Sequence, residues 1–176
     1  MSIQEQTYND ILLSIKRGTY QGNYINAKPL LLLTVIRAVE NLVIKDNRIY
    51  LTNELIQLYK NTSESYGNQV TPIFKPFYYL SYDEFWHLKW KTDPYVEKRP
   101  STKFLRDNIE YAYLDNVLWD LLQNDDVRNS FRNSIFSSSS TLPPFFTSFL
   151  LFSVAFLYAA MSFLYRCLNA TLTASL

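Results

Sequence analysis

Ala27-Lys28-Pro29-Leu30-Leu31-Leu32-Leu33-Thr34-Val35-Ile36 is the stretch whose reading decides the fold. Proline suits the opening of a helix, because the N–H it lacks would be unpaired there anyway. From Leu30 to Val39 almost every side chain is apolar, and Thr34, Arg37 and Asn41 form a thin polar stripe. A helix that is apolar nearly all round must be covered on most sides. The segment therefore predicts a central helix opened by Lys28-Pro29.

The flanking sequence supplies the cover. Upstream, Tyr8, Ile11, Leu12 and Ile15 share one helical face, with Thr7 as a cap and Gly18 as a stop. Downstream, Arg48-Ile49-Tyr50-Leu51 reads as a short strand, and Thr52 caps a helix over roughly residues 53–60. Phe77-Tyr78-Tyr79-Leu80 and Phe85-Trp86-His87-Leu88 are aromatic, β-prone runs. With Ser81-Tyr82-Asp83-Glu84 between them they read as a hairpin. Ser101 or Thr102 starts a short helix. Leu114, Val117, Leu118, Leu121 and Leu122 form a further helical face. Asn124 caps a last helix, with Asp125 and Asp126 in its first turn and Val127, Phe131 and Ile135 as its buried stripe. The expected fold class is mainly α with a small β-sheet, a compact helical domain with a β-hairpin. The order helix, strand, helix, hairpin also fits a winged helix.

Charge divides the chain. All 16 acidic side chains, and every basic one except Arg166, precede residue 137. Ser137-Ser138-Ser139-Ser140 and Thr141-Leu142-Pro143-Pro144 read as a linker. The expected organisation is a folded domain over 1–136 and a linker with an apolar tail over 137–176. Residues 144–165 carry no charge and are long enough to span a bilayer. A membrane anchor and a non-native stretch are the two accounts of that run. The N-terminus MSIQEQTYND has no apolar signal core, so a cytoplasmic domain is expected.

Several chemistries are disfavoured by composition. One cysteine, Cys167, leaves no internal disulfide or thiolate zinc cluster, and one histidine, His87, leaves no multi-histidine metal site. Three glycines disfavour glycine-rich phosphate loops. No nucleophile-elbow, Walker or dinucleotide motif occurs. His87, between Trp86 and Leu88, reads as a packed or edge-strand histidine. The pairs Asp83-Glu84 and Asp125-Asp126 suit a turn and a helix N-terminus better than a metal. No catalytic residue, metal or cofactor is expected.

Basic groups, in contrast, are concentrated. Lys89, Lys91, Lys98, Arg99, Lys103 and Arg106 lie close in sequence against only Asp93 and Glu97, with Trp86, Trp90, Tyr95 and Phe104 interleaved. Such a segment can neutralise phosphates and stack on bases, or it can be a solvated loop whose aromatics face the core. Lys28 likewise reads either as a snorkelling lysine or as a cation held at a helix N-terminus, where anions are favoured.

Four stretches, in order, carry a family resemblance. Ala27 to Leu33 resembles the HKPLLLL signature of the N-terminal domain of HNH-type restriction endonucleases. Asn47-Arg48-Ile49 with Leu51-Thr52-Asn53-Glu54-Leu55 is similar to its strand and helix opening. Pro76 to Leu80 followed by Phe85 to Leu88 resembles its PF..L....W.L hairpin, and Tyr111 to Asp115 with Leu118-Trp119 its YA.LD..LW.LL helix. The resemblance spans about residues 8–135. It implies a module that reads double-stranded DNA, in some members phosphorothioate DNA, whose backbone carries a sulfur in place of an oxygen. The implied pocket has Lys28 as the cation, Pro76 as the apolar wall and Phe77 beside it. Lys75 stands where the family has an aromatic, Tyr79 where it has a small residue, and Ala27 where it has histidine. Lys98, Arg99, Lys103 and Arg106 complete the expected DNA contacts. The alternatives are a fragment of such an endonuclease without its cutting domain, and a membrane-tethered interaction protein.

Overall fold

The computed structural model describes residues 2–66, 70–95, 97 and 99–139. Lys98 and the apolar run 144–165 lie outside the described residues. The compact unit is Met1–Ser139, ending with the last helix three residues beyond the expected limit of 136. The fold is mainly α with a small antiparallel sheet. Among the described residues, no helix is long and apolar enough to cross a membrane.

The leucine run forms α2, Ala27–Glu40, and it is central. From Pro29 to Val39 only Arg37 is exposed. Thr34 does not join a polar stripe. It is fully buried, and its hydroxyl donates to the Leu30 carbonyl at 2.7 Å. Pro29 is the third helical residue rather than the first, which costs nothing because the first four N–H groups of a helix have no intrahelical acceptor. Helices α3, Asn53–Ser65, and α4, Phe74–Tyr79, pack on α2, as does α7, Asp125–Ser139. Helix α7 in turn packs on α1, Ile3–Leu13.

Helix ends follow local chemistry. Thr52 accepts from the Leu55 N–H at 3.1 Å, and Asn124 accepts from Asp126 at 2.9 Å and from Val127 at 3.3 Å. Val127, Phe131 and Ile135 are buried as expected. Helix α1 differs from the expectation. Ser2 and Glu5 cap it reciprocally, while the Thr7 hydroxyl donates back to the Ile3 carbonyl inside the helix. It stops at Leu13, and Gly18 lies just before a two-stranded hairpin, β1 (Thr19–Tyr20) and β2 (Asn23–Tyr24). Gln21 and Gly22 turn that hairpin with φ of 50° and 78°, the left-handed pair that a two-residue turn needs.

The expected hairpin over 77–88 does not form. Residues 74–79 are α4, continued by a 3-10 turn over Leu80–Tyr82. Ile73, Phe77 and Leu80 are buried at helical spacing, and the Phe77 N–H donates to the Ile73 carbonyl at 3.0 Å. The second run does become a strand, β3 (Trp86–Trp90), but its partner is β4 (Ile109–Leu114), antiparallel, with Trp86 opposite Leu114 and Leu88 opposite Ala112. Tyr111 to Leu114, expected in a helix, is thus strand, and helix α6 is confined to Asn116–Leu121. The register shifts between Lys89 and Trp90, which pair with Tyr111 and Ile109 and leave Glu110 as the extra residue of a bulge. Ile49 bridges Ala112, and the Asn47 side chain both donates to and accepts from the Leu114 backbone. With no hairpin after α3 among the described residues, the winged-helix order is not present.

Candidate nucleic-acid interface

Lys28 sits in the first turn of α2, but its ammonium is engaged. Lys28 Nζ lies 2.6 Å from Asp83 Oδ2, and the two side chains keep only 16% and 12% of their exposure. Asp83 follows the 3-10 turn, so the pair ties the start of α2 to the end of the α4 segment. The other pocket residues divide. Pro76 and Phe77 are buried, and the Phe77 ring meets Trp86 edge-on at 5.5 Å. The Phe77 carbonyl accepts from the Trp86 indole at 3.0 Å. Lys75 is exposed, and Tyr79 is half-buried with its ring stacked on Tyr82 at 6.1 Å. The expected wall of Pro76 is therefore core, and the surface of α4 belongs to Lys75 and in part to Tyr79, whereas the other tyrosine, Tyr78, is buried.

Those tyrosines begin a ring-on-ring cluster. Tyr78 meets Tyr79, Tyr82 and Phe104 edge-on, at 5.5, 6.3 and 5.8 Å. Phe104 continues to Tyr95 at 5.5 Å and to Trp90 at 6.2 Å. The cluster joins α4, the end of β3, the following loop and helix α5, Thr102–Asn108. Ser101 caps α5 by accepting from the Phe104 N–H, and the Tyr78 hydroxyl accepts from the Glu97 N–H, which fixes the loop. Tyr82 and Tyr95, 62% and 48% exposed, offer ring surface to solvent. Of the interleaved aromatics, Trp90, Tyr95 and Phe104 gather here, whereas Trp86 is core.

Cations are carried by the same elements as these rings. Lys75 is one helical turn from Tyr78 and Tyr79, and Lys103 and Arg106 share a face of α5 at i,i+3 spacing. Lys89 and Lys91 flank Trp90, and Arg99 is exposed in the loop. Lys91 donates to the Arg106 carbonyl at 2.5 Å, and Arg106 donates to Asn53 Oδ1 at 3.3 Å. Among the described residues none of these six forms an ion pair, unlike Lys28.

Beside α5 a groove of about 180 Å³ opens, lined in part by Tyr50, Thr52, Arg106 and Tyr111. Sequence reasoning missed it because its lining comes from four separate segments. It also missed the β1–β2 hairpin, where the Arg17 guanidinium sits 4.7 Å above the Tyr24 ring and Tyr20 is 66% exposed. The Gln21-Gly22 turn was the available signal.

His87 is an edge-strand histidine. Its Nε2 is 2.7 Å from Asp115 Oδ1, and Tyr8 donates to Asp115 Oδ2 at 3.0 Å. Burial, with the neighbouring Asp115 carboxylate, pushes the Tyr8 hydroxyl up to about 12. The chain of bonds fastens α1 to the sheet, and the Tyr113 ring lies against the imidazole at 5.0 Å. Among those residues, no three side chains are grouped to hold a metal. No protein-family model matches the chain, and no curated protein does.

Proposed function

We propose that this chain is a DNA-binding module, akin in its sequence pattern to the reading domain of HNH-type restriction endonucleases. The observation that supports it is a set of cations that form no ion pair among the described residues, Lys75, Lys89, Lys91, Arg99, Lys103 and Arg106, on the same elements and loop as a partly exposed aromatic cluster. Unpaired surface cations release counterions when they meet phosphates, and exposed rings accept bases or sugars. Lys28 and Pro76 take a supporting part in this reading. One is held by Asp83 and the other is buried, so the contact face lies on α4, the loop and α5.

The test is titration of plain, methylated and phosphorothioate duplexes at two salt concentrations. Binding that weakens steeply with salt is expected, with similar affinity for plain and phosphorothioate DNA, because Pro76 does not reach the surface. No binding at low salt overturns the reading. A strong phosphorothioate preference places recognition at Lys28 and Pro76 instead.

A further inference from the structure

Resting on the DNA-binding reading, the groove beside α5 deserves a ligand of its own. Its polar rim carries three charged side chains, Arg106, Lys91 and Glu110, all exposed and none in an ion pair among the described residues. Tyr50 and Tyr111 stand together at the same groove, 5.6 Å between centroids and inclined by 62°, and Tyr50 is 43% exposed. Leu105 and Ile109, both buried, supply apolar lining. The bulge in β4 leaves Glu110 without a cross-strand partner and turns it out at the rim.

At about 180 Å³ the groove is smaller than the roughly 300 Å³ at which drug-sized pockets begin, so it admits one flat ring system and not a base pair. Aromatic walls, a guanidinium and a carboxylate around one flat ring are what an unstacked base requires. Guanine fits the charges best. Its O6 and N7 accept from an arginine, and its N1–H and N2–H2 donate to a carboxylate. Adenine presents an amino group where guanine has O6, and so opposes a donor with a donor. We propose that this groove holds a single extrahelical guanine, with Arg106 on its O6/N7 edge, Glu110 on its N1/N2 edge, and Lys91 on the adjoining phosphate.

Equilibrium dialysis of the full chain against guanosine, adenosine and cytidine 5′-monophosphates, and against inorganic phosphate, tests this. The guanine nucleotide should bind about tenfold or more tightly than the others, the discrimination expected of one bidentate contact. Glu110→Gln should narrow the preference for guanine over adenine, and Arg106, which meets the O6 that adenine lacks, should keep the remainder. Arg106→Lys, which keeps the charge and a helix-compatible side chain, should weaken the guanine nucleotide while leaving phosphate unchanged. A duplex with one bulged guanine should bind more tightly than its fully paired counterpart. Equal affinity for phosphate and all nucleotides overturns the base assignment and leaves an anion site. Duplex binding with no retention of any mononucleotide, and no gain from the bulge, overturns the groove and leaves the DNA reading standing. Nucleotide retention without duplex binding does the reverse.

Discussion

The ion pair between Lys28 and Asp83 separates a structural lysine from a DNA contact, and its removal has opposite consequences on stability and on binding. At 2.6 Å the gross attraction is about 6 kcal/mol at an effective dielectric of ~20. Desolvation of two largely covered ions offsets most of it, so a net coupling of about 1–3 kcal/mol is expected. Lys28→Met leaves a covered carboxylate without a cation and should cost about 3 kcal/mol, the lower end for broken buried pairs because some exposure remains. For a domain of this size that lowers Tm by roughly 9 °C. Asp83→Asn should cost less, about 1–2 kcal/mol, since the flexible lysine stem lets the ammonium turn to water. The double variant should lose less than the sum of the single losses. Differential scanning calorimetry measures all three. In DNA titrations, Lys28→Met should leave the salt slope unchanged once folding is confirmed, whereas Asp83→Asn frees a cation and should steepen it by ~0.9 if the ammonium reaches a phosphate. An unchanged Tm in Lys28→Met together with a shallower salt slope would refute the reasoning. Additive losses in the double variant would show that the two groups are not coupled.

Other outcomes follow from single contacts. Trp86→Phe removes the donor to the buried Phe77 carbonyl and leaves a gap beside Phe77, and should cost about 2–3 kcal/mol in urea unfolding with an unchanged m-value. Thr52→Ala removes the cap of α3 and should cost about 1 kcal/mol in the same assay. Burial pushes Tyr59 from 10.0 up to about 12, so the folded state holds a proton that the unfolded chain has lost. Stability should be complete below pH ~10 and fall as pH rises toward ~12, and the fall should be shallower in Tyr59→Phe, as read by alkaline denaturation followed by circular dichroism. Lys103→Ala should weaken plain and modified duplexes alike and reduce the magnitude of the salt slope by ~1.

What was legible in the chain was local. Helix α2 could be read from its leucines, α3 from Thr52, and α7 from Asn124 with Val127, Phe131 and Ile135, because caps and i,i+4 faces are written within a few residues. The concentration of cations and aromatics over 86–106 was equally visible. The α4 segment was misread because four aromatic and apolar residues in a row carry no period of their own. Helical spacing emerges only when Ile73 is counted with Phe77 and Leu80.

Tertiary structure decided which of those residues are available. Strand β3 found its partner in β4, beyond the loop and α5, and no local pattern in residues 85–90 names a partner that far along the chain. Lys28 met a carboxylate 55 residues away, which made the most suggestive cation of the sequence a structural one. The guanine groove likewise exists only where α5, the bulged β4, Phe77 of α4, Lys91 just past β3 and the 50–52 segment converge. The amino-acid sequence by itself determined the positions of α2, α3 and α7, their buried stripes and the charge distribution, since these depend on neighbours within one or two turns. Strand pairing, the partner of each charge and the lining of the groove were left to the folded chain, because each is set by distances between segments that only packing brings together.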